Sequence, residues 1–98
     1  MDIKVVSVVG GGMMGRQIAL STAKYGFEVY VTDSNAAVCA SATQWAEEYL
    51  AGRIAKGRMT QEEVAAIQAR FHVTESLEEA VKDADLVIEA IFEDENAK

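Results

Sequence analysis

The chain has 98 residues, half of them apolar and 26% charged, so one domain is the ceiling and a disordered, collagen-like or low-complexity chain is excluded. A formal net charge of −7 argues against a general nucleic-acid or anionic-membrane surface. The uncharged stretch Val5 to Gly15 is too short and too rich in glycine to span a bilayer; Met1-Asp2-Ile3-Lys4 carries no signal-peptide pattern; and a single cysteine, Cys39, excludes an internal disulfide and suits a reducing, cytoplasmic setting.

Taken in order, Ile3, Val5, Val6, Val8 and Val9 form a nearly continuous β-branched run, the pattern of a strand buried on both faces of a parallel sheet. Glycines follow at 10, 11, 12 and 15. Met14, Ile18, Thr22 and Tyr25 then recur at helical spacing, with Gly26 as the stop. Phe27 to Thr32 alternates, Phe27, Val29 and Val31 sharing a side, which predicts a second strand with Asp33 at its end. A long helix capped by Ser34 or Asn35 follows. Val38, Ala42, Trp45 and Tyr49 form its stripe, Ala46, Leu50 and Ile54 widen it, and Gly57 ends it. Cys39 is read as packing on this helix. Thr60 and Glu63 fit a capping box opening another helix, with Val64, Ala65 and Ile67 as its apolar positions. Phe71 to Thr74 reads as a short third strand. Ser76 and Glu79 fit a second capping box, opening a brief helix through Leu77, Ala80 and Val81, and Asp85 to Ala90 reads as a fourth strand. The order β-α-β-α-α-β-α-β implies an α/β fold, a parallel sheet with flanking helices and right-handed crossovers.

Charge is unevenly placed. Residues 75 to 95 hold nine acids against one base, Lys82. Arg53, Lys56 and Arg58 form a small basic cluster, which reads either as a site for a local anionic ligand or as a solvated helix end.

Gly10-Gly11-Gly12-Met13-Met14-Gly15 fits G-x-G-x-x-G between a predicted strand and a predicted helix, the context that a dinucleotide site requires. Gly10 permits the tight turn, Gly12 lets a pyrophosphate approach the backbone, and Gly15 lets the helix pack close to the strand. The phosphates would meet free N–H groups at the positive end of the helix dipole. A glycine-rich turn without a ligand is the bland alternative. Asp33 follows Gly15 by 18 residues, close to the roughly 20 expected of an acid that binds the adenosine ribose. Its charge would repel a 2′-phosphate, and Ser34 and Asn35 bring no arginine to bind one, so NAD is expected over NADP. A plain helix N-cap is the alternative for Asp33.

The run V-V-G-G-G-M-M-G-R-Q-I-A, Asp33, the helical hairpin around A-K-G-R-M-T, and D-L-V-I-E-A-I-F-E together resemble the N-terminal part of the 3-hydroxyacyl-CoA dehydrogenases, including the bacterial 3-hydroxybutyryl-CoA enzymes. The resemblance covers essentially the whole chain; the glycine motif is generic, the hairpin and the E-A-x-x-E pattern more specific. It implies a Rossmann-type NAD-binding domain over residues 1–98, truncated after the fourth strand, with the helical substrate and dimerisation domain absent. It places Glu93 and Lys98 beside the dinucleotide, with Met13 and Met14 in the loop that holds it. It makes the hairpin the contact for coenzyme A, with Lys56 matching a family lysine and Arg58 beside it. Tyr49 stands where some relatives have a serine that also contacts the coenzyme, a departure from the family pattern.

The implied reaction is hydride transfer between NAD and the 3-hydroxy group of an acyl-CoA, in fatty-acid metabolism, by a homodimeric parent. The catalytic residues are expected beyond Lys98, so none is assigned here and the chain alone is expected to be inactive. His72, the only histidine, is read as structural, Trp45 and Tyr49 as packing, and one Cys with one His is too few for a closed zinc site. The alternatives are a related 3-hydroxy-acid dehydrogenase that does not use CoA, of the L-gulonate or diketo-acid kind, and a non-catalytic NAD-binding module.

Overall fold

The computed structural model describes residues 3–90. It orders them as β1 (Val5–Val9), α1 (Met13–Lys24), β2 (Glu28–Thr32), α2 (Ala36–Ala55), α3 (Gln61–Arg70), β3 (Phe71–Thr74), α4 (Leu77–Val81) and β4 (Leu86–Glu89). The strands form one parallel sheet in the order β3-β2-β1-β4. The chain winds outward from β1 through β2 to β3, then crosses back to lay β4 on the other side of β1. The strand order reverses at β1, which puts the crevice beyond its carboxyl end, where open α/β sheets take their ligands.

Register follows the β-branched pattern. Val6 sits beside Val29 and Val8 beside Val31. All four are buried, in one core with Ala19, Leu20 and Ala23 of α1, Leu50 of α2, and Val64 and Ile67 of α3. Ser7, between them on β1, is fully buried and donates its hydroxyl to the Ala80 carbonyl, tying β1 to α4. Asp85 accepts from the Lys4 and Val5 amides at 2.8 and 2.9 Å and so fixes the start of β1 to the turn before β4. Those backbone donors hold the Asp85 carboxyl below its ordinary value.

Helix ends obey local chemistry. α1 and α2 stop at Gly26 and Gly57, both at positive φ. Asn35, and not Ser34, caps α2, accepting from the Ala37 and Val38 amides. Thr60 and Glu63 form the full reciprocal box on α3. Ser76 accepts from the Glu79 amide on α4, one half of such a box.

The helix faces depart from expectation. In α1 the buried positions are Gly15, Arg16, Ala19, Leu20 and Ala23, while Met14 is exposed and Tyr25 is 85% exposed. The small residues at 15, 19 and 23, four apart on one ridge, let the helix lie close to the sheet, and the larger apolar stripe rotates outward. In α2 the buried row is Cys39, Ala42, Ala46 and Leu50, with Trp45 half-buried and Tyr49 37% exposed. Ala65 and Leu77 are exposed. β1 starts at Val5, leaving Ile3 exposed outside it, and β2 and β4 are each a residue or more shorter than their apolar runs. His72 pairs with Tyr30 across β2 and β3, stacks on its ring at 4.6 Å and bonds Glu28 at 2.6 Å through Nε2, a structural setting on the sheet edge.

Candidate dinucleotide site

β1 ends at Val9 and the backbone turns at Gly10 with φ 115°, a conformation that L side chains rarely adopt. The Gly10 amide donates to the Thr32 carbonyl at 2.8 Å, so the loop begins hooked to the end of β2. Gly15 meets a different demand. A Cβ there would overlap the Gly10 carbonyl oxygen and stand 2.9 Å from its carbon. Gly12 faces no such constraint: it is the N-cap residue of α1 in extended conformation, and among the described residues a Cβ would meet nothing within 4 Å. Two of the three motif glycines are thus required by the fold, and the third opens onto free space where an approaching group would come. Gly12 offers no side-chain cap and the first turn of α1 carries no acid, so its amides and the positive end of its dipole are left for an anion. Met13 and Met14 stand at this opening, 57% and 55% exposed.

Asp33 braces the loop. One carboxylate oxygen accepts from the Gly11 amide at 2.9 Å and the other from the Asn35 amide at 2.9 Å. With Asn35 serving as the cap, the plain N-cap reading of Asp33 fails. Each carboxylate oxygen keeps a further lone pair. Asp33 borders a cavity of about 320 Å³ lined by Val9, Gly10, Thr32, Ser34, Glu75 and Leu77. Its volume lies in the range of small-ligand pockets. Among the described residues no cation lines it, and Glu75 adds a second acid that disfavours an extra phosphate.

Three participants escaped the sequence reading. Glu75 and Leu77 reach the cavity because the β3–α4 turn lies at the carboxyl end of the sheet; their place just after a predicted parallel strand was the available signal. Arg16 is the third. It is buried, donates from Nε to the Gly11 carbonyl at 3.1 Å, and reaches Ser41 Oγ at 3.1 Å and Ser41 O at 3.4 Å through Nη1. It staples the glycine loop to α2.

The other predicted positions lie elsewhere. Lys56 is the exposed C-cap residue of α2, and Arg58 follows Gly57 in the hairpin. α2 has 20 residues, about 30 Å of helix, so the hairpin and the glycine loop sit at opposite ends of it. Glu93 and Lys98 lie outside the described residues. Cys39 is a free, buried thiol whose burial pushes its pKa up, consistent with packing. Among the described residues no group of His, Cys, Asp and Glu is placed to hold a metal, and no helix is long and apolar enough to cross a membrane.

Comparison with known proteins agrees with this geometry. Residues 5–98 match the family model described as 3-hydroxyacyl-CoA dehydrogenase, NAD binding domain. A probable 3-hydroxybutyryl-CoA dehydrogenase of Bacillus subtilis is 39% identical over 98 residues, covering 100% of this chain and 34% of the relative. The crystal structure of the (S)-3-hydroxybutyryl-CoA dehydrogenase of Ralstonia eutropha superposes with a TM-score of 0.87 at 30% identity, over 98% of this chain and 34% of that one. A diketoreductase, described as acting on dicarbonyl compounds, superposes with a TM-score of 0.80 at 33% identity, over 96% of this chain and 34% of its own. The chain therefore spans about a third of the length of these three relatives. With the loop, the acid and the sheet order in place, the chain belongs to the 3-hydroxyacyl-CoA dehydrogenase family, through its NAD binding domain.

Proposed function

We propose that this chain supplies the adenosine half of the NAD site, and the face that receives coenzyme A, in an oxidoreductase that interconverts (S)-3-hydroxyacyl-CoA and 3-oxoacyl-CoA. The observation that carries the NAD assignment is the loop: Gly15 closed against Gly10, Gly12 open, and Asp33 bonded to the Gly11 amide at 2.9 Å. Bound NAD carries the hydride chemistry. This chain's part is to bind and orient. The free amides of α1 meet the pyrophosphate, and Asp33 accepts from the ribose hydroxyls while holding the loop that surrounds them. Glu93 and Lys98 complete the cofactor's surroundings in this reading. Lys56 and Arg58 take the anionic end of the acyl-CoA. Catalytic groups come from outside the chain, and the whole enzyme is a cytoplasmic homodimer.

The likeness to a diketoreductase shows that fold alone does not select a thioester. The hairpin cations carry that choice. Calorimetric titration with NADH and NADPH, beside an Asp33→Ala variant, tests the cofactor site. NADH should bind more tightly than NADPH and weaken at least about tenfold in the variant, the scale of lost charge-assisted hydrogen bonds. A folded chain that binds neither, or binds both equally, overturns the assignment. Titration with CoA, beside charge reversal at Lys56 and Arg58, tests the thioester: unchanged CoA affinity favours the diketo-acid kind.

A further inference from the structure

Arg16 is 7% exposed, and among the described residues it is the only charged side chain that is buried. Its position costs free energy twice. A guanidinium withdrawn from water needs acceptors, and a cation at the end of the first turn of α1 faces the positive end of the helix dipole. Among the described residues no carboxylate pairs with it; the single ion pair there is His72–Glu28. Its partners are neutral: the Gly11 carbonyl at 3.1 Å from Nε, and Ser41 Oγ and O at 3.1 and 3.4 Å from Nη1. An apolar side chain would fill the same space at neither cost.

The glycine loop supplies a reason for the arginine. Its peptide units are fixed one by one. The Gly10 amide donates to the Thr32 carbonyl at 2.8 Å, and the Gly11 amide donates to Asp33 at 2.9 Å. The next unit joins the Gly11 carbonyl to the Gly12 amide. It is trans, so its C=O and N–H point in opposite directions. Gly11 is buried and Gly12 exposed. Arg16 holds the carbonyl end inward, which turns the Gly12 N–H outward, where among the described residues it makes no hydrogen bond.

That direction has to be chosen by something outside the backbone. The unit lies between two glycines, and neither carries a Cβ that would oppose a flip of the peptide. Asp33 bonds the unit before this one and leaves it free to turn. A flipped unit would aim a carbonyl oxygen, with its partial negative charge, at the place where an anion would come. It would also bury the amide that should meet that anion. The Arg16–Gly11 bond is the contact that opposes this.

We propose that Arg16 is a positioning residue for the dinucleotide: by holding the Gly11 carbonyl it sets the Gly11–Gly12 peptide with its amide toward the pyrophosphate. Ser41, on α2, keeps the guanidinium aimed. The role rests on the NAD site proposed above. Arg16 acts through the peptide unit, and its charge adds to the positive potential at the loop.

The test uses the isotope-labelled 98-residue chain beside Arg16→Met and Arg16→Lys, each at a temperature where circular dichroism shows it folded. Calorimetry gives the NADH affinity, and amide NMR follows Gly12 together with the core amides of Val6, Val8, Val29 and Val31. In the parent, saturating NADH should move the Gly12 resonance. In Arg16→Met the core resonances should stay in place, the Gly12 resonance of the free chain should move or broaden, and NADH should bind about tenfold more weakly, the scale of one lost charge-assisted hydrogen bond. Arg16→Lys keeps the charge without the planar fork and should fall between the two; it carries the test where Arg16→Met does not fold. A residue that only stabilises the chain would lower Tm and leave both the affinity of the folded protein and the Gly12 resonance unmoved. That result, in a parent that binds NADH, overturns the role of Arg16 alone. Arg16→Lys equal to the parent in affinity and in the Gly12 response would assign the effect to charge and also overturn positioning. A folded parent that binds no NADH overturns the cofactor site and this role with it.

Discussion

Replacing Gly15 with Ala separates a glycine the fold needs from one a ligand needs. The new Cβ would overlap the Gly10 carbonyl oxygen and lie 2.9 Å from the carbonyl carbon. The obstructing atoms are backbone, so no rotamer change relieves them. Relief requires α1 to lift from the sheet or the loop to retreat by well over an ångström. The helix is held by the buried Ala19, Leu20 and Ala23, and the loop by the Gly10 amide bond to Thr32 O at 2.8 Å. Overpacking costs about 1–3 kcal/mol in a core that can adjust, and a clash against two anchored backbones belongs at the upper end, about 3 kcal/mol. For a domain of this size that lowers Tm by about 12–24 °C. The control is Gly12→Ala, whose Cβ would meet nothing within 4 Å among the described residues. Alanine is only a poorer N-cap than glycine, so the cost should stay below about 1 kcal/mol. NADH affinity should nevertheless fall about tenfold or more, because the Cβ fills the space through which the pyrophosphate reaches the amides. Urea unfolding followed by circular dichroism, with NADH titration on each variant, reads both effects. A Gly15→Ala chain within 0.5 kcal/mol of the parent, on the scale of roughly neutral surface changes, refutes the close-approach reading. Full NADH affinity in Gly12→Ala refutes the ligand reading.

Arg16→Met keeps most of the buried volume but removes the donors to Gly11 O and Ser41, and should cost about 1–3 kcal/mol in urea unfolding. Arg16→Lys, which keeps the charge and loses the planar fork, should fall between; a methionine variant as stable as the parent would show that the staple is dispensable. Asp85 supplies a pH dependence. Its native pKa lies below the ordinary 3.8 because the Lys4 and Val5 amides bond the carboxylate, so its contribution is fully present above that value and is lost as pH falls through the depressed one. Asp85→Ala should therefore melt below the parent at neutral pH, with the gap closing under pH 3.8. A gap of constant size down to about pH 2 would assign the loss to something other than this carboxylate.

Local rules made much of the fold legible. The apolar runs marked all four strands, the central β1 and β2 by their buried valines and the edge strands, half-buried β3 and largely exposed β4, by runs of only four residues, and the Thr60–Glu63 box marked the start of α3 because capping is decided within four residues. The buried face of α1 was not legible. Two apolar stripes compete on that helix, and which one turns inward depends on how closely the sheet admits it. Gly15, Ala19 and Ala23 win because they permit a contact that Met14 and Tyr25 would prevent. Arg16 was hidden for a related reason: its partners are a loop carbonyl and Ser41, 25 residues away on another helix. Glu75 and Leu77 enter the cavity only through the topology, which returns the chain to the carboxyl end of the sheet.

α1 joins what the sequence offered as two unrelated charge features. Its 12 residues run about 18 Å from the glycine loop to Lys24. At its N-terminus the backbone supplies the positive potential, so the loop can hold phosphates with no basic side chain, provided that no Cβ stands in the way at residue 12. At its C-terminus the dipole has the opposite sign and repels an anion. There the field is offset by cations: Lys24 lies in the last turn, and Arg53, Arg58 and Arg70 gather with it around one cavity. The open glycine loop and the basic cluster thus answer the opposite ends of one helix dipole: free amides left for an anion at one, cations against the carbonyls at the other.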